Sequence, residues 1–158
     1  MLNLIGEYEC KLDGKSRLLF PAGLKKQIPS AGGEFRFVLN RGFEQCLVLY
    51  TLEEWKTRSE EINRLNDYVQ KNRDFIRYFY RGATELLLDN ANRLLLPKGL
   101  LEYAGIEKDM VLFAFSNRIE IWDSKKYKSL LTDEPEDFAK LAEEVMSKKE
   151  TNKTDNVS

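Results

Sequence analysis

Asp13 and Arg17 stand four residues apart in LDGKSRLLFP, and Asp89 and Arg93 stand four apart in LDNANRLLLP. Two chemistries fit that spacing. From spacing alone the structural one comes first: acid and base pair across a hairpin turn, or tie down backbone groups where strands cross, fixing geometry more than adding stability. The functional one presents an arginine to a nucleic acid, because its planar fork gives two parallel hydrogen bonds to a phosphate or to O6 and N7 of guanine. The surroundings of the two turns differ. The first adds Lys15 inside the turn, Lys11 before it and Lys25–Lys26 after Pro21, where the second has Ala91, Leu87, Leu101 and Glu102. Folding alone gives no reason for that difference. Lys15, Arg17, Lys11, Lys25 and Lys26 are therefore the candidate contacts to a nucleic acid, which a β-ribbon can read through the major groove. Asp13, Asp89 and Arg93 are candidates for the structural corner.

Other chemistry is poorly supplied. The 158 residues contain no histidine and two cysteines, Cys10 and Cys46. That removes imidazole acid–base catalysis, His-based triads and the usual zinc sites. No glycine-rich phosphate loop is visible, so an enzyme is the remote alternative, with carboxylate-only chemistry left open. No cofactor, metal or small-molecule substrate is expected. No apolar run reaches the roughly 18–20 residues of a membrane helix, and the N-terminus lacks a secretory pattern. These features point to a cytoplasmic chain with two packed, reduced thiols. The net charge is −1, but residues 1–83 carry 14 basic against 11 acidic residues, whereas residues 84–158 carry 11 against 15. The first half is the better candidate for an anionic partner.

Both turns need strands to hold them, and the chain repeats those too. A shift of 76 places Gly6 on Gly82, Asp13 on Asp89, Arg17 on Arg93 and Pro21 on Pro97, giving ten identities over the nineteen positions from Gly6 to Leu24. This marks an internal duplication. Similarity resumes where CLVLYTLEEW matches RIEIWDSKKY: an alternating apolar run, an aromatic, a capping residue and a helix start. Thr51 with Glu54 reads as a capping box, and Asp123 takes the equivalent N-cap. The alternation in FRFVLN and MVLFAF supplies third strands. Each half thus reads strand, turn, strand, short loop, strand, turn, strand, helix. Four short strands bury little alone, so two halves closing on each other predict a pseudo-two-fold barrel.

The expected organisation is a first repeat over 1–55, connecting helices over 56–81, a second repeat over 82–128, a C-terminal helix over 129–147 and a disordered tail over 148–158. Between the repeats, Trp55, Ile62, Leu65, Val69, Ile76 and Phe79 form a helical stripe, broken near LNDYV with Asn66 or Asp67 capping a second helix. TDEPED reads as a turn before the last helix. The aromatics of DFIRYFYR could stack on bases, but their helical spacing favours packing. Arg73, Arg77 and Arg81 read as a solvated row.

The repeated turn, its position after a short N-terminal strand, and the block EYAGI…EIWD together resemble the MraZ family of the AbrB/MazE-like superfamily, over about Leu4 to Tyr127. The resemblance implies a mainly β fold with added helices (α+β): a duplicated double-split β-barrel, AbrB-like. It implies a homo-oligomeric ring that binds repeated boxes in double-stranded promoter DNA. It further implies a nucleoid-associated repressor of the division and cell-wall gene cluster. Its DNA-facing element carries over to Lys15 and Arg17, with Asp13 orienting them, and Asp89–Arg93 as the structural twin. The family glycine before the motif arginine is here Ser16, and in the second copy Asn92. The competing class is a ring-forming scaffold that uses the same barrel without DNA specificity.

Overall fold

The computed structural model describes residues 2–30, 32–132 and 136–155. The first half runs β1 (Leu4–Lys11), β2 (Arg17–Leu19), α1 (Ala22–Lys25), β3 (Arg36–Arg41), β4 (Leu47–Thr51) and α2 (Leu52–Asn63). After α3 (Gln70–Tyr80) the order recurs as β5 (Thr84–Leu87), β6 (Arg93–Leu95), α4 (Lys98–Ala104), β7 (Asp109–Ser116), β8 (Arg118–Asp123) and α5 (Ser124–Thr132). The duplication read from the sequence is therefore a duplication of structure, mainly β with added helices.

The halves exchange strands. The six-stranded antiparallel sheet has the order β1-β7-β8-β4-β3-β5, and β2 pairs with β6 in a separate ribbon. Each half's first strand lies against the other half's third: β1 on β7, β5 on β3. The registers carry a pseudo-two-fold. The ribbon is centred on Leu18 opposite Leu94, so Arg17 faces Leu95 and Leu19 faces Arg93. In the sheet, β4 and β8 centre on Val48 opposite Glu120, with Leu47 facing Ile121 and Leu49 facing Ile119. Both central pairs join positions that the repeat makes equivalent. β1 and β5 are the sheet edges, each running through an Asp turn into a ribbon strand; a lone bridge, Leu12 to Leu18, ties the first of these corners. The ladder is thus split at two places rather than continuous.

One apolar cluster joins the layers. Leu18 and Leu94 of the ribbon, Phe37 and Leu39 of β3, Leu47 and Leu49 of β4, and Ile119 and Ile121 of β8 belong to it, all at 1% exposure or less. Strand alternation explains the selection: one face of each strand turns inward every second residue. Since neither half covers this cluster alone, strand exchange and core burial stabilise the same arrangement.

The helices depart from the sequence reading in detail. Thr51 accepts a hydrogen bond from the Glu54 amide at 3.3 Å as the N-cap of α2, and Asp123 Oδ2 accepts one from the Lys126 amide at 3.2 Å at the start of α5. Neither Asn66 nor Asp67 caps α3. Its N-cap is Val69, with no side-chain bond, because Asn66 Oδ1 is used by the Tyr68 amide in a local turn. Leu65 and Val69 fall in that connection and are exposed. The aromatics of α3 pack in part: Phe79 is buried and stacks on Trp55 at 5.6 Å, nearly parallel, and Tyr80 meets Trp55 edge-on, while Phe75 and Tyr78 are exposed.

By compactness the chain divides into Met1–Tyr127 and Lys128–Ser158. The second unit contains α6 (Phe138–Asp155), on which Phe138, Leu141 and Val145 are exposed. The helix continues past residue 147, where the sequence reading ended it, because Lys148, Lys149 and Glu150 are good helix formers. The expected tail is helical to Asp155. Residues 156–158, and residues 133–135 of the expected TDEPED turn, lie outside the described residues.

Candidate nucleic-acid interface

Each Asp turn is built by its own aspartate. Asp13 Oδ1 accepts hydrogen bonds from the Lys15 and Arg17 amides, both at 2.9 Å, while Oδ2 accepts from Arg17 Nε at 2.8 Å. The backbone closes the same loop: the Asp13 amide donates to Arg17 O, and the Ser16 amide to Asp13 O. Asp89 repeats the pattern, accepting from the Ala91 amide at 2.9 Å, the Arg93 amide at 2.8 Å and Arg93 Nε at 3.1 Å. These bonds favour the ionised carboxylate. The Arg17 and Arg93 amides, foremost, hold Asp13 and Asp89 respectively below the ordinary aspartate range.

The residue before each arginine is left-handed, Ser16 at φ 59° and Asn92 at φ 62°. Glycine enters this region freely, asparagine pays little, and serine pays more. The turn geometry is nonetheless the same in both copies, so the aspartate bonds outweigh the cost at Ser16.

The turn decides what each arginine can offer. With Nε held by Asp13, the Arg17 guanidinium has its two terminal amines without a partner among the described residues, and its side chain is 26% exposed. Arg17, Leu19, Arg93 and Leu95 share the outer face of the ribbon, because Leu18 and Leu94 point inward with no exposure. Leu19 and Leu95 on that face are 63% and 60% exposed. The two arginines sit diagonally on a two-stranded ribbon, about 7–8 Å apart in the backbone.

The candidate cations do not form one patch. Lys15 is exposed beside Arg17, and Lys11 is exposed at the end of β1. Lys25 goes elsewhere: its Nζ donates to Asn92 Oδ1 at 2.7 Å and lies 4.9 Å from the Phe35 ring centre. Antiparallel pairing of β2 with β6 carries the chain after Pro21 toward the second turn, so α1 flanks Asn92 and not Ser16. Lys26 is exposed one residue further on. The charge difference between the turns is therefore smaller in space than along the chain. The Lys25–Asn92 bond was not readable locally, since 67 residues separate its partners.

Both cysteines are held as thiols rather than thiolates near neutral pH. Burial raises Cys10 to about 11 and Cys46 to about 12. Among the described residues no group of three or more acidic or cysteine side chains could hold a metal ion, and no helix is long and apolar enough to cross a membrane.

A strand-exchanged duplication with an arginine-bearing turn in each half defines a two-repeat, pseudo-two-fold α+β protein. The MraZ protein family model matches the chain twice, over residues 4–78 and 79–150. The chain is 49% identical over 147 residues to a transcriptional regulator MraZ of Christiangramia forsetii, covering 92% of this chain and 94% of that one. It is 48% identical to that of Flavobacterium psychrophilum, covering 92% and 93%, and 36% identical to that of Acetivibrio thermocellus, covering 89% and 94%. The chain belongs to the MraZ family.

Proposed function

We propose that this chain is a DNA-binding transcriptional regulator and not an enzyme, in keeping with the names its relatives carry. In this reading it recognises repeated boxes in double-stranded promoter DNA as a ring of identical subunits. It acts in the cytoplasm, at the nucleoid, as a repressor of the division and cell-wall gene cluster. Lys15 and Arg17 make the principal contacts, with exposed Lys11 and Lys26 adding positive charge, Lys25 instead bonded to Asn92, and Asp89–Arg93 serving as the structural twin.

One observation carries the reading: Asp13 holds Arg17 by its amide and its Nε, with exposed Lys15 adjacent. An arginine fixed at Nε loses little rotamer freedom on binding, and its terminal amines still form a fork for guanine or phosphate. A bidentate guanine contact contributes about 1–3 kcal/mol of discrimination. One turn makes few such contacts, so several turns on spaced boxes supply affinity through effective concentration.

The test is binding to promoter DNA and to random DNA across a salt series. Arg17→Ala is expected to lose the preference for promoter DNA while remaining folded. Lys15→Gln is expected to weaken binding to both and lower the salt slope by about 1. A folded Arg17→Ala protein with unchanged promoter affinity would refute the assignment. No sequence preference at any salt would favour the scaffold reading.

A further inference from the structure

We infer that the exposed face of α3 is a second contact to nucleic acid, one that holds the phosphate backbone without reading bases. The inference deepens the DNA-binding function proposed above and rests on it.

The distribution of charge points to α3 first. Residues 1–83 carry 14 basic against 11 acidic residues. Residues 64–81 account for the whole excess, with five basic against two acidic, and residues 1–63 have nine of each. The half that contains the first Asp turn is therefore neutral without α3. The turn is also short of cations in space, because Lys25 is bonded to Asn92. Phosphate contacts supply a large share of affinity for DNA, and Lys11, Lys15 and Arg17 can make few of them.

The helix is fixed by one face and presents the other. Inward, Phe79 stacks on Trp55, the Asn40 side-chain amide donates to Phe79 O at 2.9 Å, and the Tyr80 hydroxyl donates to Asn63 Oδ1 at 2.8 Å. At 3.6 residues per turn, Lys71, Asp74, Phe75, Arg77, Tyr78 and Arg81 fall on the opposite side, and all are exposed. Asp74 is the one acid in α3. It meets Arg77 at 3.5 Å, but that arginine side chain is 72% exposed, and such a surface pair holds its partners weakly. Arg73 leaves the row read from the sequence: it is half-buried and donates to Asp67 O at 2.9 Å. Arg41 joins the face from β3. Its terminal amine donates to Tyr78 O at 2.6 Å, and its guanidinium lies 4.2 Å from the Tyr78 ring centre. An exposed ring with a hydroxyl donor is thus held among the cations.

Charge complementarity selects the occupant. Arg77 and Arg81 stand one turn apart, about 6 Å along the axis. Duplex DNA carries a negative charge about every 1.7 Å of its axis, so such a row meets phosphates in any sequence. The arginine fork also bonds phosphate in pairs. A protein partner would instead call for an apolar anchor at the centre of the contact. This face centres on Asp74 and Tyr78.

The test is binding of the full chain and three variants to a one-box promoter fragment and to random duplex DNA of equal length, across a salt series. The double variant Arg77→Gln, Arg81→Gln is expected to bind both DNAs roughly 10- to 100-fold more weakly at 0.1 M salt, with the salt slope lower by about 2 per engaged subunit. Its ratio of promoter to random affinity should stay at the wild-type value, unlike that of Arg17→Ala. The double variant Lys125→Gln, Lys128→Gln removes the same charge from exposed positions on α5 and should bind as wild type does. Asp74→Asn takes the acid out of the face and should strengthen both affinities by about two- to fivefold. It decides the matter if melting curves show that the arginine variant fails to fold. A folded arginine variant with the wild-type slope would overturn the inference and leave the face to an acidic protein. Equal weakening by the α5 variant would overturn it too, since net charge would then explain the loss. A wild type without promoter preference sinks the promoter reading, while the salt slope on random DNA still decides the α3 contact.

Discussion

Lys25 Nζ and Asn92 Oδ1 meet at 2.7 Å, joining the helix that follows the first Asp turn to the left-handed residue of the second. The bond crosses the pseudo-two-fold and has no copy, because Leu101 occupies the position equivalent to Lys25. Removing the ammonium leaves the Asn92 carbonyl without this charged partner. Lys25→Met is therefore expected to destabilise the protein by about 1–2 kcal/mol. That lowers Tm by roughly 2–8 °C in a chain of this size. Lys26→Met should leave Tm within about 1 °C. Thermal unfolding of the two variants checks the contrast.

Ser16 and Asn92 share one backbone geometry at different cost. Ser16→Gly relieves a left-handed serine worth about 1–2 kcal/mol and gives part of it back through unfolded-state freedom, so a net gain of about 0.5–1 kcal/mol is expected. Asn92→Gly loses the bond to Lys25 and should give no gain. Urea titrations of the two glycine variants at constant m-value would separate these outcomes.

Asp13 and Asp89 both titrate below the ordinary aspartate value of 3.8. A carboxylate with a lowered folded-state value stabilises fully above the unfolded value and loses that contribution as pH falls through the folded one. The Tm should therefore fall as the pH drops below about 4. The double variant Asp13→Asn, Asp89→Asn should give a flatter profile there, because the amides still accept the backbone bonds but no longer titrate. A double variant as acid-sensitive as wild type would show that other groups control this range.

Arg17 and Arg93 occupy equivalent turns, yet the proposed roles differ. Each arginine makes the same Nε bond to its own aspartate, so Arg17→Ala and Arg93→Ala should lower Tm by similar amounts, about 2–4 °C. Only Arg17→Ala should abolish promoter preference. A promoter shift assay beside a melting curve decides between this and equal use of both turns.

Much of this was legible in the residues. Ten identities over nineteen positions announced the duplication, the period-two runs gave the strands, and Thr51 and Asp123 marked helix starts, because these depend on neighbours within a few residues. The start of α3 was misread for a local reason as well: Asn66 makes a turn with Tyr68 instead of a cap, a choice between two bonds that the same sequence allows.

By itself the amino-acid sequence determined that two Asp turns exist, that each carries an arginine four residues on, and that only the first contains a lysine. Those properties live inside five-residue loops. Only the tertiary structure decided what flanks each turn. Strand exchange put β1 on β7 and β5 on β3, and antiparallel pairing in the ribbon carried Lys25 to Asn92. It also left β1 and β5 at the edges of the sheet and brought the Gln27 side chain onto the Ile5 backbone. Contacts between residues 67 apart are set by the shared core and the register that buries it, and no local spacing encodes which partner a strand will find.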